Sequence, residues 1–288
     1  MIWRAVTEPE GPVAPGRVAV VTGAASGIGL GLCERFAAEG MRVVMADVEE
    51  PALREAAVRL SAQGSEILAV TTDVARAEDV EALRDKAVQA FGAVHVLCNN
   101  AGVGGPHGPL WQATRGDWEW VLGVNLWGVI HGIQSFVPVL LEQDAAHIVN
   151  TASVFGIFAG ALGPYGISKH AVVALTETLY FQLRERGARV GVSVLCPGAV
   201  QTRFGSSARN RPVGAGPSAV SGDAERASEE QFDRLLATAK QPSEVAELVL
   251  QGIHDGRFYI LTSDNRNAAI RRRADEILAG DPPTPPFP

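Results

Sequence analysis

Short apolar segments alternate with longer amphipathic ones along most of this chain. Runs of five to seven residues rich in Val, Ile and Leu predict strands at 17–22, 42–46, 66–71, 94–98, 147–151, 189–195 and 257–261. Between the first two runs, apolar residues recur at helical spacing and Gly40 stands where a helix C-cap is expected. Strands that are apolar on both faces and alternate with helices are typical of a buried parallel sheet. The pattern predicts an α/β fold: a doubly wound sheet of about seven parallel strands with helices on both faces.

The same pattern places helix ends and domain boundaries. Thr114 with Asp117 resembles a capping box that opens a helix ending at Leu141, and Pro164 suits the first turn of a helix that ends near Arg186. We expect an N-terminal arm at 1–16, one domain at 17–280 and a flexible tail at 281–288. The segment 198–241, rich in Ser, Ala, Gly and Pro, is too long for an ordinary connection and predicts a substrate lid or a helical insertion.

Composition narrows the class of protein. Of the 288 residues, 47% are hydrophobic and 20% charged, which is typical of a globular chain with a large core. The formal net charge of −7 favours neither nucleic acid nor an anionic membrane as a partner. Prolines and acidic residues interrupt the N-terminus, and polar residues interrupt the most apolar stretch, so we expect neither export nor a membrane span. Three widely spaced cysteines among apolar neighbours favour a reducing, cytoplasmic location.

Three glycines lie where the first strand passes into a helix. Gly23, Gly27 and Gly29 allow the backbone to approach a pyrophosphate, whose charge is favoured by the free N–H groups and dipole of a helix N-terminus. The spacing G-x-x-x-G-x-G departs from G-x-G-x-x-G and lacks the Lys-Ser/Thr of an ATP-binding loop. Such a turn can also serve packing alone. Read as a ligand site, it predicts a Rossmann-type dinucleotide fold.

An acidic residue at the end of the second strand supports the dinucleotide. Asp47 lies 18 residues after Gly29, close to the offset of about 20 residues at which a carboxylate binds the adenosine ribose. It can accept hydrogen bonds from both ribose hydroxyls and would repel a 2′-phosphate. The sequence therefore predicts NAD rather than NADP, with Arg42 as the cation that could reverse this preference.

A second cluster consists of Ser153, Tyr165 and Lys169. Tyr165 and Lys169 are four residues apart near the start of a predicted helix and share one face. The pair alone is weak evidence, because many helices carry one by chance. With its neighbours, however, it forms an ordered set that resembles the short-chain dehydrogenase/reductase family over roughly residues 17–262: TGAASGIG at 22–29, Asp73, NNAG at 99–102, Asn125, Ser153, YGISK at 165–169 and PGAVQT at 197–202.

The resemblance implies hydride transfer between a nicotinamide and a secondary alcohol or ketone. Tyr165 would be the acid/base, Ser153 would hold the substrate oxygen, and Lys169 would lower the pKa of the phenol from about 10. In the family, Lys169 also contacts the nicotinamide ribose and Asn125 anchors a water chain to solvent. The expected coenzyme contacts are Gly23, Ser26, Gly27, Ile28, Gly29, Asp47, Asp73, Val74, Asn100, Ala101, Gly102, Tyr165, Lys169, Pro197, Gly198, Val200 and Thr202.

The substrate and the rival functions follow from the remaining residues. An apolar alcohol or ketone is predicted by the pocket candidates Val103, Val154, Phe155, Leu162 and Phe204, although Arg203 is a possible anion contact. Family members are often tetramers, and apolar positions on the two long helices predict a homodimer or homotetramer. No metal site is expected, because neither HExxH nor C-x-x-C occurs. The alternatives are an NADP-linked carbonyl reductase, which Asp47 opposes, and a catalytically idle nucleotide-binding scaffold, which the intact cluster opposes.

Overall fold

The computed structural model describes residues 11–106, 108–158, 160, 163–216, 218, 236, 239–262 and 267–285. Seven parallel strands form one sheet in the order β3-β2-β1-β4-β5-β6-β7. The strands are β1 Val18–Thr22, β2 Arg42–Asp47, β3 Ile67–Thr71, β4 Val96–Asn99, β5 Ala146–Thr151, β6 Val190–Cys196 and β7 Tyr259–Leu261. The doubly wound fold predicted from the apolar runs is confirmed.

Helices cover both faces of the sheet. They are α1 Gly27–Ala38, α2 Glu50–Ser61, α3 Ala77–Phe91, α4 Arg115–Leu122, α5 Gly128–Leu140, α6 Gly163–Glu185, α7 Pro242–His254 and α8 Asn267–Ala279. Apolar side chains of α1, α2 and α7 pack on one face, and those of α3, α5 and α6 pack on the other. The predicted capping box is present, with Thr114 accepting from the Asp117 amide at the start of α4.

The reversal of strand order between β1 and β4 creates a crevice at the carboxyl ends of these strands. From β1 the chain continues outward to β2 and β3, whereas β4 pairs with the opposite side of β1. The loops that follow β1 and β4 therefore diverge at the carboxyl ends of these strands. This topological switch point is where open α/β sheets bind their ligands.

A buried polar chain fixes the elements beneath this edge. The Asn99 side chain donates to the Asn150 side chain at 2.9 Å, and Asn150 donates to the Thr176 hydroxyl at 3.1 Å. These bonds join β4, β5 and α6, which carry the loops and side chains of the crevice. Gly132 lets α5 approach, since a Cβ there would lie 2.1 Å from Asn99 Oδ1. Asn99 opens the NNAG motif, whereas Asn150 and Thr176 lie outside the motifs recognised in the sequence.

The ends of the folded unit differ from the sequence prediction. Val13 and Ala14, expected in an arm, are only 6% and 8% exposed, and Val13 packs in the core beneath α1. The folded unit thus begins before residue 17, because burial of this apolar pair stabilises the segment. At the other end, Thr284 bonds the Glu276 carboxylate of α8.

The segment 198–241, predicted as a lid or insertion, lies partly within the described residues. Residues 198–216 contain short 3-10 turns at Ser207–Asn210 and Val213–Ala215. Residues 217, 219–235, 237 and 238 lie outside the described residues.

Among the residues that the structure describes, one continuous helical stretch, Arg115–Leu140, has the length and apolar composition of a membrane span, with a mean hydropathy of 1.2. Of the apolar 18-residue window within it, 44% is buried inside the protein. It comprises α4, a single π turn and α5, and it packs against α3 and α6. A core helix of a soluble protein has these properties as well.

Candidate active site

The glycine turn after β1 leaves room for a ligand against the backbone. Gly23 and Gly27 have φ angles of +67° and +55°, in the left-handed region that favours glycine. A Cβ on Gly29 would lie 2.1 Å from the Gly23 carbonyl oxygen. Ser26 is the N-cap of α1, but its side chain makes no capping hydrogen bond. The N-terminus of α1 therefore presents backbone N–H groups without a side-chain cap, which suits a diphosphate.

Asp47 lies against this turn. Its Oδ2 accepts from the Ala25 amide at 2.9 Å, and its Oδ1 accepts from the Glu49 amide at 2.9 Å. Each carboxylate oxygen keeps a further lone pair for a ribose hydroxyl. Arg42 begins the same strand at its opposite end and pairs with Glu66 at 3.1 Å. Arg42 therefore lies at the amino end of β2, whereas Asp47 lies at its carboxyl end. It is not placed to reverse the coenzyme preference.

Ser153, Tyr165 and Lys169 meet beyond the carboxyl end of β5. The Ser153 side chain acts on the Tyr165 hydroxyl and lowers its pKa, and the Lys169 Nζ lies 5.9 Å from the centroid of the Tyr165 ring. Lys169, only 2% exposed, donates to the Thr151 carbonyl at 2.8 Å. The three side chains come from the end of β5 and the first turns of α6, so the fold itself brings them together.

Burial controls the charges of this cluster. It raises the pKa of Tyr165 to about 12, against a smaller lowering by the Ser153 hydrogen bond. Burial also lowers the pKa of Lys169 to about 8. Desolvation of the phenolate is thus the largest effect on this pKa, and the lowering by Lys169 that the sequence predicts stays a prediction.

Asn125 lies in a π turn, Gly123–Trp127, between α4 and α5. Its side chain accepts from the Val103 amide at 2.8 Å and donates to the Val103 carbonyl at 2.9 Å. It also donates to the Ser168 hydroxyl at 3.1 Å. A π turn inserts an extra residue and often marks a functional site. Here it interrupts the helix predicted from Trp118 to Leu141 and fixes the loop after β4 next to α6.

Comparisons with known proteins identify the family. Residues 17–212, more than half of the chain, match the family described as short chain dehydrogenase. The chain is 40% identical over 275 residues to 1-deoxy-11-beta-hydroxypentalenate dehydrogenase of Streptomyces exfoliatus, covering 93% of this chain and 92% of the relative. The chain belongs to the short-chain dehydrogenase family. It is accordingly an oxidoreductase that acts on a hydroxyl or keto group.

Two further similarities agree with this family assignment. The chain is 38% identical over 200 residues to 3beta-hydroxysteroid dehydrogenase 2 of Eggerthella lenta, covering 69% of this chain and 76% of that protein. A crystal structure of a short chain dehydrogenase/reductase from Burkholderia phymatum in complex with NAD superposes with a TM-score of 0.91 and 44% identity, covering 96% of this chain and 99% of that one.

The loop after β4 is hydrogen-bonded to the end of β1. The Thr22 hydroxyl accepts from the amides of Asn100 and Ala101 at 2.9 and 3.1 Å, and the Asn100 side chain donates to the Thr22 carbonyl at 3.0 Å. A Cβ on Gly102 would lie 3.4 Å from both Asn125 Oδ1 and Lys169 Nζ. This turn thus connects the glycine turn to the acid/base cluster.

The expected adenine contacts follow β3. Asp73 Oδ1 accepts from the Ala75 amide at 3.0 Å, which closes a local turn. Val74 is 7% exposed, and its carbonyl lies 2.9 Å from His131 Nδ1. The Val74 side chain packs against Gly128, where a Cβ would lie 2.8 Å from it. Val74 is therefore held in place by α5. Of the two expected coenzyme contacts after β3, only Asp73 has a polar side chain.

The segment after β6 lies across the glycine turn. Pro197 accepts from the Val154 amide at 3.0 Å, and the Gly198 amide donates to Thr262 at 3.0 Å. Val200 is buried in the core. The Thr202 side chain packs against the glycine turn, since a Cβ on Gly27 would lie 2.8 Å from the Thr202 methyl group.

The predicted pocket residues occupy different surroundings. The Phe204 ring lies 5.3 Å from that of Tyr165, and Phe155 packs edge-on against Phe158 at 5.7 Å. Val103 is 6% exposed and packs with Trp120 and Val121, while Val154 is also buried. Leu162 lies outside the described residues, and the pocket roles of Val103, Val154, Phe155 and Phe204 stay predictions.

Several polar residues at the site were not predicted as site residues. Thr22, Thr151 and Ser168 accept the hydrogen bonds that hold Asn100, Lys169 and Asn125. Thr22 and Ser168 lie within the recognised motifs TGAASGIG and YGISK, and this membership is the signal that could have found them. Among the described residues, no group of His, Cys, Asp and Glu side chains could hold a metal ion.

Proposed function

We propose that this short-chain dehydrogenase is an NAD-dependent enzyme that transfers hydride between the nicotinamide and a secondary alcohol or ketone on an apolar skeleton. One observation carries the proposal: Tyr165, whose hydroxyl interacts with Ser153, has the Lys169 ammonium beside its ring at the carboxyl ends of the strands, where the glycine turn lies. This arrangement places an acid/base residue next to the glycine turn that is proposed to bind the dinucleotide. A catalytically idle scaffold would not need such a residue.

The chain's own residues divide the remaining chemistry. The bound coenzyme supplies the hydride acceptor or donor. Ser153 orients the substrate oxygen, and Tyr165 removes its proton during oxidation or returns it during reduction. Lys169 stabilises the phenolate. Asn125 holds the Val103 loop next to α6 through its hydrogen bonds to Val103 and Ser168. Because burial raises the pKa of Tyr165 to about 12, the protein alone holds this residue as the neutral acid at pH 7.

The apolar preference rests on the surroundings of Tyr165. Phe204 lies against its ring, and Arg203, the possible anion contact, is paired with Glu49 at 3.5 Å. Two relatives are named dehydrogenases of a hydroxypentalenate and of a hydroxysteroid, and a steroid is a rigid apolar skeleton bearing hydroxyl groups.

The test is turnover with NAD, followed by the absorbance of the reduced nicotinamide. We expect activity with polycyclic secondary alcohols and little with sugar alcohols or 2-hydroxy acids. Turnover confined to charged hydroxy acids would overturn the substrate class. Absence of any coenzyme binding would overturn the function and leave the scaffold.

Coenzyme preference has its own test at Asp47. Asp47→Asn keeps an acceptor for the Ala25 amide but removes the charge that repels a 2′-phosphate. A lost charged hydrogen bond to a ligand costs about 1.5–3 kcal/mol, so we expect NADH affinity to fall about tenfold or more relative to NADPH affinity. Fluorescence titration with both coenzymes measures the ratio. The matched control is Asp85→Asn on the exposed side of α3; equal ratios in all three proteins would contradict the ribose assignment.

The molecule is proposed to act as a homodimer or homotetramer in the cytoplasm. Trp127, Ile167 and Phe181 on the long helices are 52%, 45% and 67% exposed, an apolar surface suited to a second copy. Cys33, Cys98 and Cys196 are buried free thiols, as expected in a reducing compartment. Light scattering that gave the mass of a single chain at micromolar concentration would contradict the assembly.

A further inference from the structure

A strap, defined as residues 202–211, crosses the carboxyl edge of the sheet. It touches the glycine turn through Thr202 and the acid/base cluster through Phe204, whose ring lies 5.3 Å from that of Tyr165. Ser207, 7% exposed, accepts from the Gly104 amide at 2.9 Å. The strap therefore runs over the crevice in which the proposed coenzyme would bind.

One end of the strap is attached to a buried carboxylate. Arg211 pairs with Asp117 at 2.7 Å, and Asp117 is completely buried. The Arg211 guanidinium also lies over the Trp120 ring, 5.5 Å from its centroid. Removal of one partner from a buried ion pair is strongly unfavourable. This attachment to α4 is therefore expected to persist while the rest of the strap moves.

The strap is also held by Glu49, in the turn after β2. Arg209 donates to Glu49 Oε1 from Nε at 3.1 Å and from Nη2 at 2.5 Å, and Asn210 donates to the same oxygen at 2.9 Å. Arg203 lies 3.5 Å from Glu49 Oε2. These contacts lower the pKa of Glu49, with the Arg209 hydrogen bond as the largest cause. One carboxylate thus receives three side chains of the strap.

This second attachment differs from the first in exposure. The Arg209 and Glu49 side chains are 32% and 21% exposed, so water and salt reach the pair. Partly exposed ion pairs form and break at low cost and are weakened by salt. Arg209 also donates to the carbonyls of Arg203 and Ser206 at 3.0 and 2.8 Å, which couples its guanidinium to the strap backbone. Release of Glu49 would therefore loosen the strap, which Ser207 and Arg211 would still hold.

Glu49 adjoins the residue proposed to bind the ribose. Its amide donates to Asp47 Oδ1 at 2.9 Å, so one turn carries both carboxylates. Asp47 faces the glycine turn through the Ala25 amide, while Glu49 faces the strap. The strap consequently closes at the adenosine end of the crevice.

We propose that Glu49 and Arg209 form a latch that closes the strap over the adenosine half of the coenzyme and sets the rate at which the coenzyme leaves. The latch rests on the proposed function, because it needs a dinucleotide in the crevice. Glu49 and Arg209 are positioning residues, which act through the strap and not on the reacting atoms. The buried Arg211–Asp117 pair is the hinge about which the strap opens.

The experiment measures release of NADH from the full chain by stopped-flow fluorescence, with excess NAD as the displacing coenzyme. The variants are Glu49→Gln, Arg209→Gln and the double variant. The control is Glu34→Gln, which breaks an exposed ion pair with Arg59 on the neighbouring helices. We expect each single variant to release NADH about three to ten times faster than the unaltered protein. The double variant should match the faster single variant, because both substitutions open one latch.

Added salt separates a latch from a general loss of stability. Release from the unaltered protein should accelerate with ionic strength, whereas release from the variants should change little. Thermal unfolding temperatures should agree among all five proteins. An unchanged release rate in Glu49→Gln, or effects that add in the double variant, would overturn the latch while NADH binding upheld the proposed function.

Two other outcomes are equally decisive. If Glu49→Gln bound NADPH more tightly with unchanged NADH release, Glu49 would control coenzyme choice through the freed Arg203 and Arg209, and the latch would be wrong. If neither coenzyme bound the unaltered protein, the proposed function and the latch would fail together.

Discussion

Tyr165→Phe is expected to lower turnover about a thousandfold while NADH affinity stays within about threefold. The substitution removes only the hydroxyl that exchanges a proton with the substrate, and general acid–base groups contribute about 10²–10⁴ to the rate. The ring remains to pack against Phe204. Initial rates with an alcohol and its ketone, together with NADH fluorescence titration, check both parts.

Tyr180→Phe is the matched control for this substitution. Tyr180 lies on the same helix, α6, but its ring packs edge-on against Phe258 and lies outside the site. It should retain the turnover of the unaltered protein. If Tyr165→Phe retained full turnover as well, a different group would carry the proton, and the assignment of Tyr165 would be wrong.

Lys169→Met is expected to reduce turnover about a hundredfold or more and to leave the fold intact. Without the ammonium, the buried phenolate of Tyr165 loses its nearby positive charge. The Thr151 carbonyl also loses a hydrogen bond, at a cost of about 1 kcal/mol. That loss is offset because the folded protein no longer buries an ammonium. Lys86→Met, on the exposed side of α3, is the control.

The stability of this variant has a defined pH dependence. Burial lowers the pKa of Lys169 from its usual 10.5 to about 8, a difference worth about 3 kcal/mol. Below pH 8 the amine is charged in both the folded and the unfolded chain, so folding bears the full cost of desolvation. As the pH rises from 8 towards 10.5, the folded chain loses its proton first and this cost disappears.

Methionine does not titrate, so the advantage of the variant over the unaltered protein should shrink across this range. Denaturant unfolding of both proteins at several pH values measures the difference. Burial alone raises the pKa of the Cys98 thiol, so its titration affects both proteins equally and cancels. A difference in unfolding free energy that did not vary with pH would show that Lys169 has an ordinary pKa in the folded protein.

Local patterns contain most of the information about the fold. The five successive positions of β1 are all buried, and the first four, Val18 to Val21, form an uninterrupted apolar run, because a strand covered on both faces does not alternate. The capping box of Thr114 and Asp117 is equally local. The π turn at Asn125 is not, because it depends on how this helix meets the Val103 loop. Sequence periodicity therefore predicts one helix where the structure has two joined by a wider turn.

The site divides in the same way. Gly23 and Gly27 are recognisable because positive φ angles restrict the choice of residue, and Asp47 because it ends a strand at a known offset. In the network of Asn99, Asn150 and Thr176, only Asn99 lies in a recognised motif. Its members lie on three different elements, and ordinary polar residues at each position would look the same in the sequence.

The sequence by itself determined the parallel sheet, the glycine turn and the chemical identity of the Ser153, Tyr165 and Lys169 cluster. Each of these is specified by residues within a few positions of one another or by the order of short motifs. Only the tertiary structure decided that burial raises the pKa of Tyr165 and that Glu49 meets Arg209, 160 residues away. Desolvation and long-range ion pairs depend on which segments pack together, and packing is a property of the whole folded chain.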